Sequence, residues 1–435
     1  MKINNVTRRN FVKGSATVAG GLMVGGLPFQ SAAQSAAGGK IKIALVGCGG
    51  RGTGAAVQAL SVSQDVQLVA MADAFKDRLD TSFTNINEKI EDKKRIKVKD
   101  KNKFVGFDGY KEAIDLADVV ILTTPPGFRP IHLEYAISQN KHVFTEKPLA
   151  TDAAGVRKVL SLVEVANQKG LNIVVGLQRH YQKSYIELMK RVHNGEIGDI
   201  TSAQAYWNSS GVWVRPREAG QTEMEYQMRN WYYFNWLCGD HINEQHIHNI
   251  DVINWAKKSY PVKAQGMGGR QVRTGKDNGE IFDHHYVEFE YADGTIFNSQ
   301  CRHIPNTWNK VGELVVGTKG KADGNGTIYD MNGKIVWKHR NQDDINPYQQ
   351  EHNKLFAAIE NGEQINDLEN GAKSTMTALM GRMATYSGQV ITWDQALNST
   401  NVLVPDTFGW DVDPPVMPDE NGNYPIPTPG VTNVL

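Results

Sequence analysis

The sequence predicts an α/β protein: an N-terminal doubly wound parallel sheet, then an α+β domain built on an open-faced, mostly antiparallel sheet. Three observations carry this. From residue 42 to 176, continuous apolar runs of strand length alternate with helical segments, the pattern of strands buried on both faces. The first run opens into a glycine cluster, Gly47-Cys48-Gly49-Gly50-Arg51-Gly52. Beyond residue 200 the runs alternate apolar with polar, as half-buried antiparallel strands do.

Residues 42–46 form the first strand, the glycine cluster a turn, and 53–60 the helix that leaves it. Gly47, Gly49 and Gly52 stand at G-x-G-x-x-G spacing. Gly47 permits the tight turn, Gly49 lets a pyrophosphate approach the backbone, and Gly52 lets helix and strand pack closely. The helix N-terminus adds free N–H groups and a positive dipole end. A second strand, 66–72, ends in Asp73, where a carboxylate binds the ribose 2′-hydroxyl of NAD and repels the 2′-phosphate of NADP. The expected cofactor is therefore NAD, with NADP less favoured; Lys76 and Arg78 nearby soften the preference. The first layer continues with strand 104–107, helix 110–116, strand 118–123 ending in Thr124-Pro125-Pro126, helix 131–139 and strand 142–145. Helix 153–169 carries Val156, Val159, Leu160 and Val163 on one face, and strand 172–176 follows. Alternating runs at 200–207, 262–267, 282–291, 295–301, 311–317 and 334–337 supply the second sheet. Helices 349–360 and 368–387 close that domain, and an extended Pro/Asp/Asn-rich arm begins at Pro405. The expected division is 1–38 export signal, 39–150 dinucleotide domain, 151–404 substrate and oligomerisation domain, and 405–435 arm. The arm either wraps a neighbouring subunit or lies on its own chain.

At 435 residues the chain has room for two full cores. It carries 47 basic and 47 acidic residues with no basic stripe, which argues against a nucleic-acid partner. The basic run 89–103 is interleaved with acids and reads as a solvated face. Three cysteines, Cys48, Cys238 and Cys301, form no C-x-x-C pair, so neither a thiolate zinc site nor a dithiol redox motif is expected. Thr7-Arg8-Arg9-Asn10-Phe11-Val12-Lys13, followed by a glycine-rich apolar run and small residues, resembles a twin-arginine export signal cleaved between Ala33 and Gly39. No other run is long and apolar enough to span a bilayer. The mature protein is expected in the periplasm, with no membrane partner. That compartment has no free nicotinamide pool, so the cofactor should be held tightly and returned to its starting state in each cycle.

Four further segments join the glycine turn. Thr145-Glu146-Lys147-Pro148 and Gly176-Leu177-Gln178-Arg179-His180-Tyr181 each follow a strand, Glu196-Ile197-Gly198-Asp199-Ile200 opens the second domain, and residues 240–255 begin a helix. As a set they resemble the Gfo/Idh/MocA oxidoreductases over nearly the whole mature chain. The relatives implied are glucose–fructose oxidoreductase, inositol dehydrogenase and the NAD-dependent glycosidases of family 109. The resemblance implies a sugar or polyol site between a Rossmann domain and an open-faced sheet, and a dimer or tetramer. It implies that Lys147 is the substrate-binding lysine, held by a cis bond before Pro148, and that His248 is the catalytic histidine. Four residues before that histidine the family has Asp where this chain has Glu244; helical spacing would keep both groups on one face. The expected cofactor contacts are Gly47, Gly49, Gly50, Arg51, Gly52, Asp73, Thr124, Pro125, Glu146 and Lys147. The catalytic set is Lys147, His248 and Glu244.

The residue chemistry agrees. Oxidising a secondary alcohol needs a base for the O–H proton, and a histidine serves near neutral pH. Arg179 and His180 lie at a strand's carboxyl end, where open sheets bind ligands, and are expected to contact substrate. Trp213 and Arg229, in an aromatic and arginine-rich stretch, are expected to do the same against a sugar. His241, Glu244 and His248 could face a metal from one helix, but the spacing is not H-E-x-x-H and no metal is assigned. The expected function is an exported sugar or glycoside oxidoreductase. The alternatives are a glycosidase working by transient oxidation at C3 and elimination, and a non-catalytic sugar-binding protein.

Overall fold

A computed structural model describes residues 39–435; the expected export signal, 1–38, lies outside the described residues. Strands β1 (Ile41–Val46), β2 (Val66–Asp73), β3 (Lys103–Val105), β4 (Val119–Leu122), β5 (His142–Thr145) and β6 (Ile173–Val175) form one parallel sheet. Its order is β3-β2-β1-β4-β5-β6, so chain direction across the sheet reverses beside β1 and opens a crevice there. The continuous apolar runs are explained by burial on both faces. Ile43 and Leu45 pack with Ala55 and Ala56 of helix Gly50–Leu60 and with Leu355 and Phe356 of helix Pro347–Asn361. Ala44 and Val46 pack the other way, with Leu133 and Ala136 of helix Arg129–Ser138.

The second sheet comprises β7 (Ile200–Ser209), β8 (Lys263–Gly269), β9 (His284–Glu290), β10 (Ile296–His303), β11 (Lys310–Gly317), β12 (Gly320–Asp323), β13 (Thr327–Asp330), β14 (Ile335–Lys338) and β15 (Ile391–Thr392). The order is β14-β13-β12-β11-β7-β10-β9-β8-β15. β7 and β10 run parallel and the other pairs antiparallel. β9 and β10 alternate buried with part-exposed residues. Their inner face, with Val287, Phe289 and Phe297, packs on helices Ile247–Lys257 and Leu368–Ser387. The outer side leaves Met267 73% and Trp308 61% exposed.

Several expectations need correction. The boundary at residue 150 is too early, because β6 completes the parallel sheet. The chain also returns to that sheet late: helix Pro347–Asn361 packs under it and Asn366 bridges Ile173. β12 and β13 were not expected; each is four residues long and broken by glycine, aspartate or lysine. The helix expected over 240–255 is two helices, His241–Glu244 and Ile247–Lys257. Arm 405–435 holds no helix or strand and lies on its own chain. Gly430 N donates to Ser387 O at 2.7 Å, and Phe408 and Trp410 pack against Phe128 and Phe107.

The glycine turn is sterically fixed at two positions and free at two others. Gly47 has φ +95°, and a Cβ there would sit 2.6 Å from the Thr123 carbonyl carbon; a Cβ on Gly52 would sit 2.0 Å from Gly47 O. A Cβ on Gly50 meets nothing within 4 Å. Gly52→Ala is therefore expected to lower stability by about 1–3 kcal/mol or more and Gly50→Ala by much less, as read from thermal unfolding midpoints of the two purified variants.

Candidate functional site

The crevice beside β1 is a cleft of about 380 Å³. One wall is Gly47, Gly49, Gly50, Gly52 and Asp73; Thr124 and Pro125 border it from the end of β4. The fit to a dinucleotide is physical. The open space over Gly49 and Gly50 faces the start of helix Gly50–Leu60, whose first N–H groups lack helical partners. The Asp73 carboxylate is aimed by two backbone donors, Cys48 N at 2.6 Å and Phe75 N at 2.8 Å. Burial pushes its carboxyl upward, and those two donors oppose the rise. Arg51 also lines the cleft, but its guanidinium is committed: Nε donates to Glu146 at 2.5 Å and an NH2 group lies 3.4 Å from Glu351. Glu146 is thereby buried as the partner of Arg51.

At the end of β5, Lys147 precedes a cis bond to Pro148. Its ammonium donates to Glu244 Oε1 at 2.9 Å and to the Glu244 backbone carbonyl. Both side chains are nearly buried. His248 is buried, its Nδ1 has no partner, and its ring lies over Trp207 with centroids 6.1 Å apart. Burial first, then the charges of Lys147, Arg179 and Arg51, hold its pKa well below 6.5, so the ring is neutral at physiological pH. Thus Lys147, Glu244, His248, Arg179 and Arg51 come together beside the cleft.

Arg179 and the other expected side chains are held by partners of their own. Arg179 is paired with the buried Glu313, which also accepts from Asn249 at 2.5 Å and Tyr185 at 3.0 Å. His180, expected to contact substrate, is held by partners in the fold: its Nε2 lies 2.7 Å from Asp251 Oδ2 and its ring stacks on Trp255. Burial would lower its pKa, but the Asp251 charge overrides this and raises it. Trp213 and Arg229, expected at a sugar, stand in the wall of the cleft beside β1, and Arg229 binds Asp77 with two hydrogen bonds of 2.8 and 3.0 Å. The three residues considered for a metal do not form a ligand cluster among the described residues. A different trio, Asp240, His241 and His285, has its ligand atoms within 4.8 Å of one another. Asp240 already accepts from His241 Nδ1, Phe282 N and Tyr386 Oη, so its oxygens are satisfied without a cation.

Residues 41–177 match the model of an oxidoreductase family with an NAD-binding Rossmann fold, and residues 185–323 match the GFO/IDH/MocA C-terminal domain. The chain belongs to the Gfo/Idh/MocA family. Within it, an inositol 2-dehydrogenase of Salmonella paratyphi B is 28% identical over 217 residues, 49% of this chain and 54% of that relative. The chain thus spans about half the length of that curated relative. Among solved structures, an aldose-aldose oxidoreductase from Caulobacter crescentus superposes with TM-score 0.63 at 17% identity, covering 81% of this chain and 99% of that one. A scyllo-inositol dehydrogenase from Lactobacillus casei with bound NAD(H) and scyllo-inositol gives 0.61 at 20% identity, covering 82% and 99%. At these identities the likeness is one of fold.

Three residues of this Gfo/Idh/MocA site escaped the sequence reading. Glu313 anchors Arg179. Arg129, fully buried, ties the loops after β4 and β5 by donating to Thr124 O and Pro148 O, each at 2.8 Å. Tyr232 is buried near Glu244 with its hydroxyl unpartnered. Only Arg129 left a signal, a lone charge next to Pro130 at a helix start.

Beneath the cleft, the His352 ring lies tilted against Phe144, centroids 4.3 Å apart, and neither ring nitrogen has a partner. Burial, with Arg51 adding to it, lowers its pKa to about 3. Below pH 6.5 the unfolded chain takes up this proton while the folded chain does not, so its penalty grows as pH falls from 6.5 toward 3 and is absent above that window. His352→Phe is expected to lessen the acid loss of stability, by up to about 3 kcal/mol at pH 4, in denaturant titrations at pH 4 and pH 7.5.

Proposed function

We propose that the protein is an exported NAD-dependent oxidoreductase that oxidises a ring hydroxyl of a sugar, cyclitol or glycoside. The observation that carries this reading is the Lys147–Glu244 pair beside the neutral, half-unpartnered His248, at the carboxyl end of β5 next to the dinucleotide cleft. The relatives named for inositol and aldose chemistry support the substrate class. Paired arginines ahead of the first strand support export.

Gly47, Gly49, Gly50, Asp73, Thr124 and Pro125 would hold the cofactor. A bound nicotinamide supplies the hydride acceptor. Lys147 donates a hydrogen bond to the alcohol oxygen and stabilises the negative charge that develops as the O–H bond breaks. His248 takes that proton; its depressed pKa keeps it free to accept. Glu244 fixes the Lys147 ammonium in place and balances its charge. The alcohol loses a proton and a hydride and leaves as a ketone; a second carbonyl compound, reduced in turn, restores the cofactor. Because the periplasm offers no exchangeable nicotinamide, the cofactor stays bound throughout.

The test starts from purified protein with nothing added. Nucleotide released on denaturation is identified by mass spectrometry, and near-ultraviolet absorbance is followed as sugars and glycosides are added to the native protein. Stoichiometric NAD that becomes reduced and stays bound is expected; protein that never reduces NAD, bound or added, with any of them overturns the reading. Lys147→Ala is expected to slow reduction by about a hundredfold or more, and full turnover in that variant would remove Lys147 from the mechanism. The acid limb of kcat/KM should lie well below pH 6.5, since only protonation of His248 disables the base, and a limb at pH 6.5 or above would count against His248.

A further inference from the structure

The cleft has a second wall that the glycine turn does not explain. Opposite Gly47–Gly52 and Asp73 stand Trp213, Arg215, Met228, Arg229 and Trp231, all from the second domain. This wall is latched to the first domain at the end where Asp73 stands. Arg229 binds Asp77 through two hydrogen bonds and lies over the Phe75 ring at 3.9 Å. The C-terminal arm braces the same rim. Trp410 packs on Phe75 at 5.0 Å and on Phe107 at 4.6 Å, while Phe408 packs on Phe128 at 4.9 Å. The arm is itself held, because the Asp152 carboxylate accepts from Leu403 N at 2.9 Å. On the exposed rim of the cleft, Arg215 lies 5.4 Å from the Trp213 ring and pairs with no carboxylate among the described residues. An aromatic face and a free guanidinium suit a purine base and a phosphate.

We propose that residues 212–231 form the outer half of the cofactor site, with Trp213 and Arg215 contacting the adenosine diphosphate half of the dinucleotide, and that the Phe408–Trp410 stretch of the arm clamps this wall shut. The inference rests on the nicotinamide-cofactor reading above. It turns the aromatic stretch from sugar recognition to cofactor retention. Release then requires the wall to lift: Arg229 must leave Asp77, and the wall must separate from the rim that Trp410 braces.

The test uses the full mature chain stripped of nucleotide, with ADP-ribose and NADH as probes. ADP-ribose lacks the nicotinamide and reports the adenosine half alone. Trp213→Ala and Arg215→Ala are each expected to weaken ADP-ribose binding by about tenfold by calorimetry. Trp410→Ala is expected to speed NADH dissociation by a similar factor, followed by the loss of energy transfer from tryptophan to the reduced nicotinamide. Arg229→Ala, at a partly exposed pair, is expected to do so by a smaller factor. Thermal unfolding of each variant confirms the fold, and Arg215, exposed on the rim, gives a variant whose folding is not at stake. ADP-ribose affinity within twofold of the parent in both Trp213→Ala and Arg215→Ala overturns the assignment, and unchanged NADH dissociation in Trp410→Ala overturns the clamp. Neither readout needs a sugar, so they stand whether or not a sugar reduces the cofactor.

Discussion

The Lys147 ammonium, held by Glu244, is the constraint on which the site depends. It joins the end of β5 to the second domain through a buried pair. A buried ammonium is costly unless every donor is used and its charge is matched. The chain meets this demand by stopping a helix. In an unbroken helix over 240–255 the Glu244 carbonyl would be taken by the N–H of residue 248. Here the helix ends at Glu244, His248 N reaches only Gln245 O at 3.4 Å, and the freed carbonyl accepts from Lys147 instead. The same break leaves the negative end of a short helix facing a cation. The extra methylene of glutamate over aspartate then lets side chain and backbone of one residue grip the ammonium together.

A repeated arrangement follows around His248. Each cation that lowers its pKa is itself anchored by a buried carboxylate: Lys147 by Glu244, Arg179 by Glu313, Arg51 by Glu146 and Glu351. Anchoring settles where the positive charges sit without cancelling their effect on the imidazole, which has no carboxylate partner of its own. A histidine beside an acid behaves in the opposite way, as His180 does with Asp251. Two histidines of one chain are thus pushed apart in protonation by the sign of their nearest neighbour.

The parallel sheet was legible because burial on both faces leaves an unbroken apolar run, and the glycine turn because sterics at Gly47 and Gly52 admit no other residue. The proposed trio of Lys147, Glu244 and His248 was picked out through a resemblance to a family, which did not give its geometry. Nothing in Asn243-Glu244-Gln245-His246-Ile247-His248 breaks a helix locally; the break is made by tertiary bonds, such as His246 Nε2 with Ser299 Oγ at 2.7 Å. Trp213 and Arg229 were read as sugar contacts because aromatic and arginine content is all that sequence shows there. The partners of Arg229, Phe75 and Asp77, lie about 150 residues away in the chain. Glu313 is a single acid in a β-strand whose value is set wholly by Arg179, Tyr185 and Asn249 arriving from other elements.

That dispersion has a consequence for assembly. The cleft draws one wall from residues before 130, the opposite wall from 213–231, and its brace from Phe408 and Trp410 near the end of the chain. The parallel sheet itself is packed underneath by helix Pro347–Asn361. A dinucleotide bound to the first domain alone would meet the glycine turn and Asp73 but neither the roof nor its brace, and it would exchange freely. If residues 212–231 and the arm hold the cofactor as proposed, retention would belong to the complete chain and arise only when its last-made residues dock. On that reading the chain would gain its cofactor grip as folding finishes, the state in which the proposed export route for folded proteins would take its cargo.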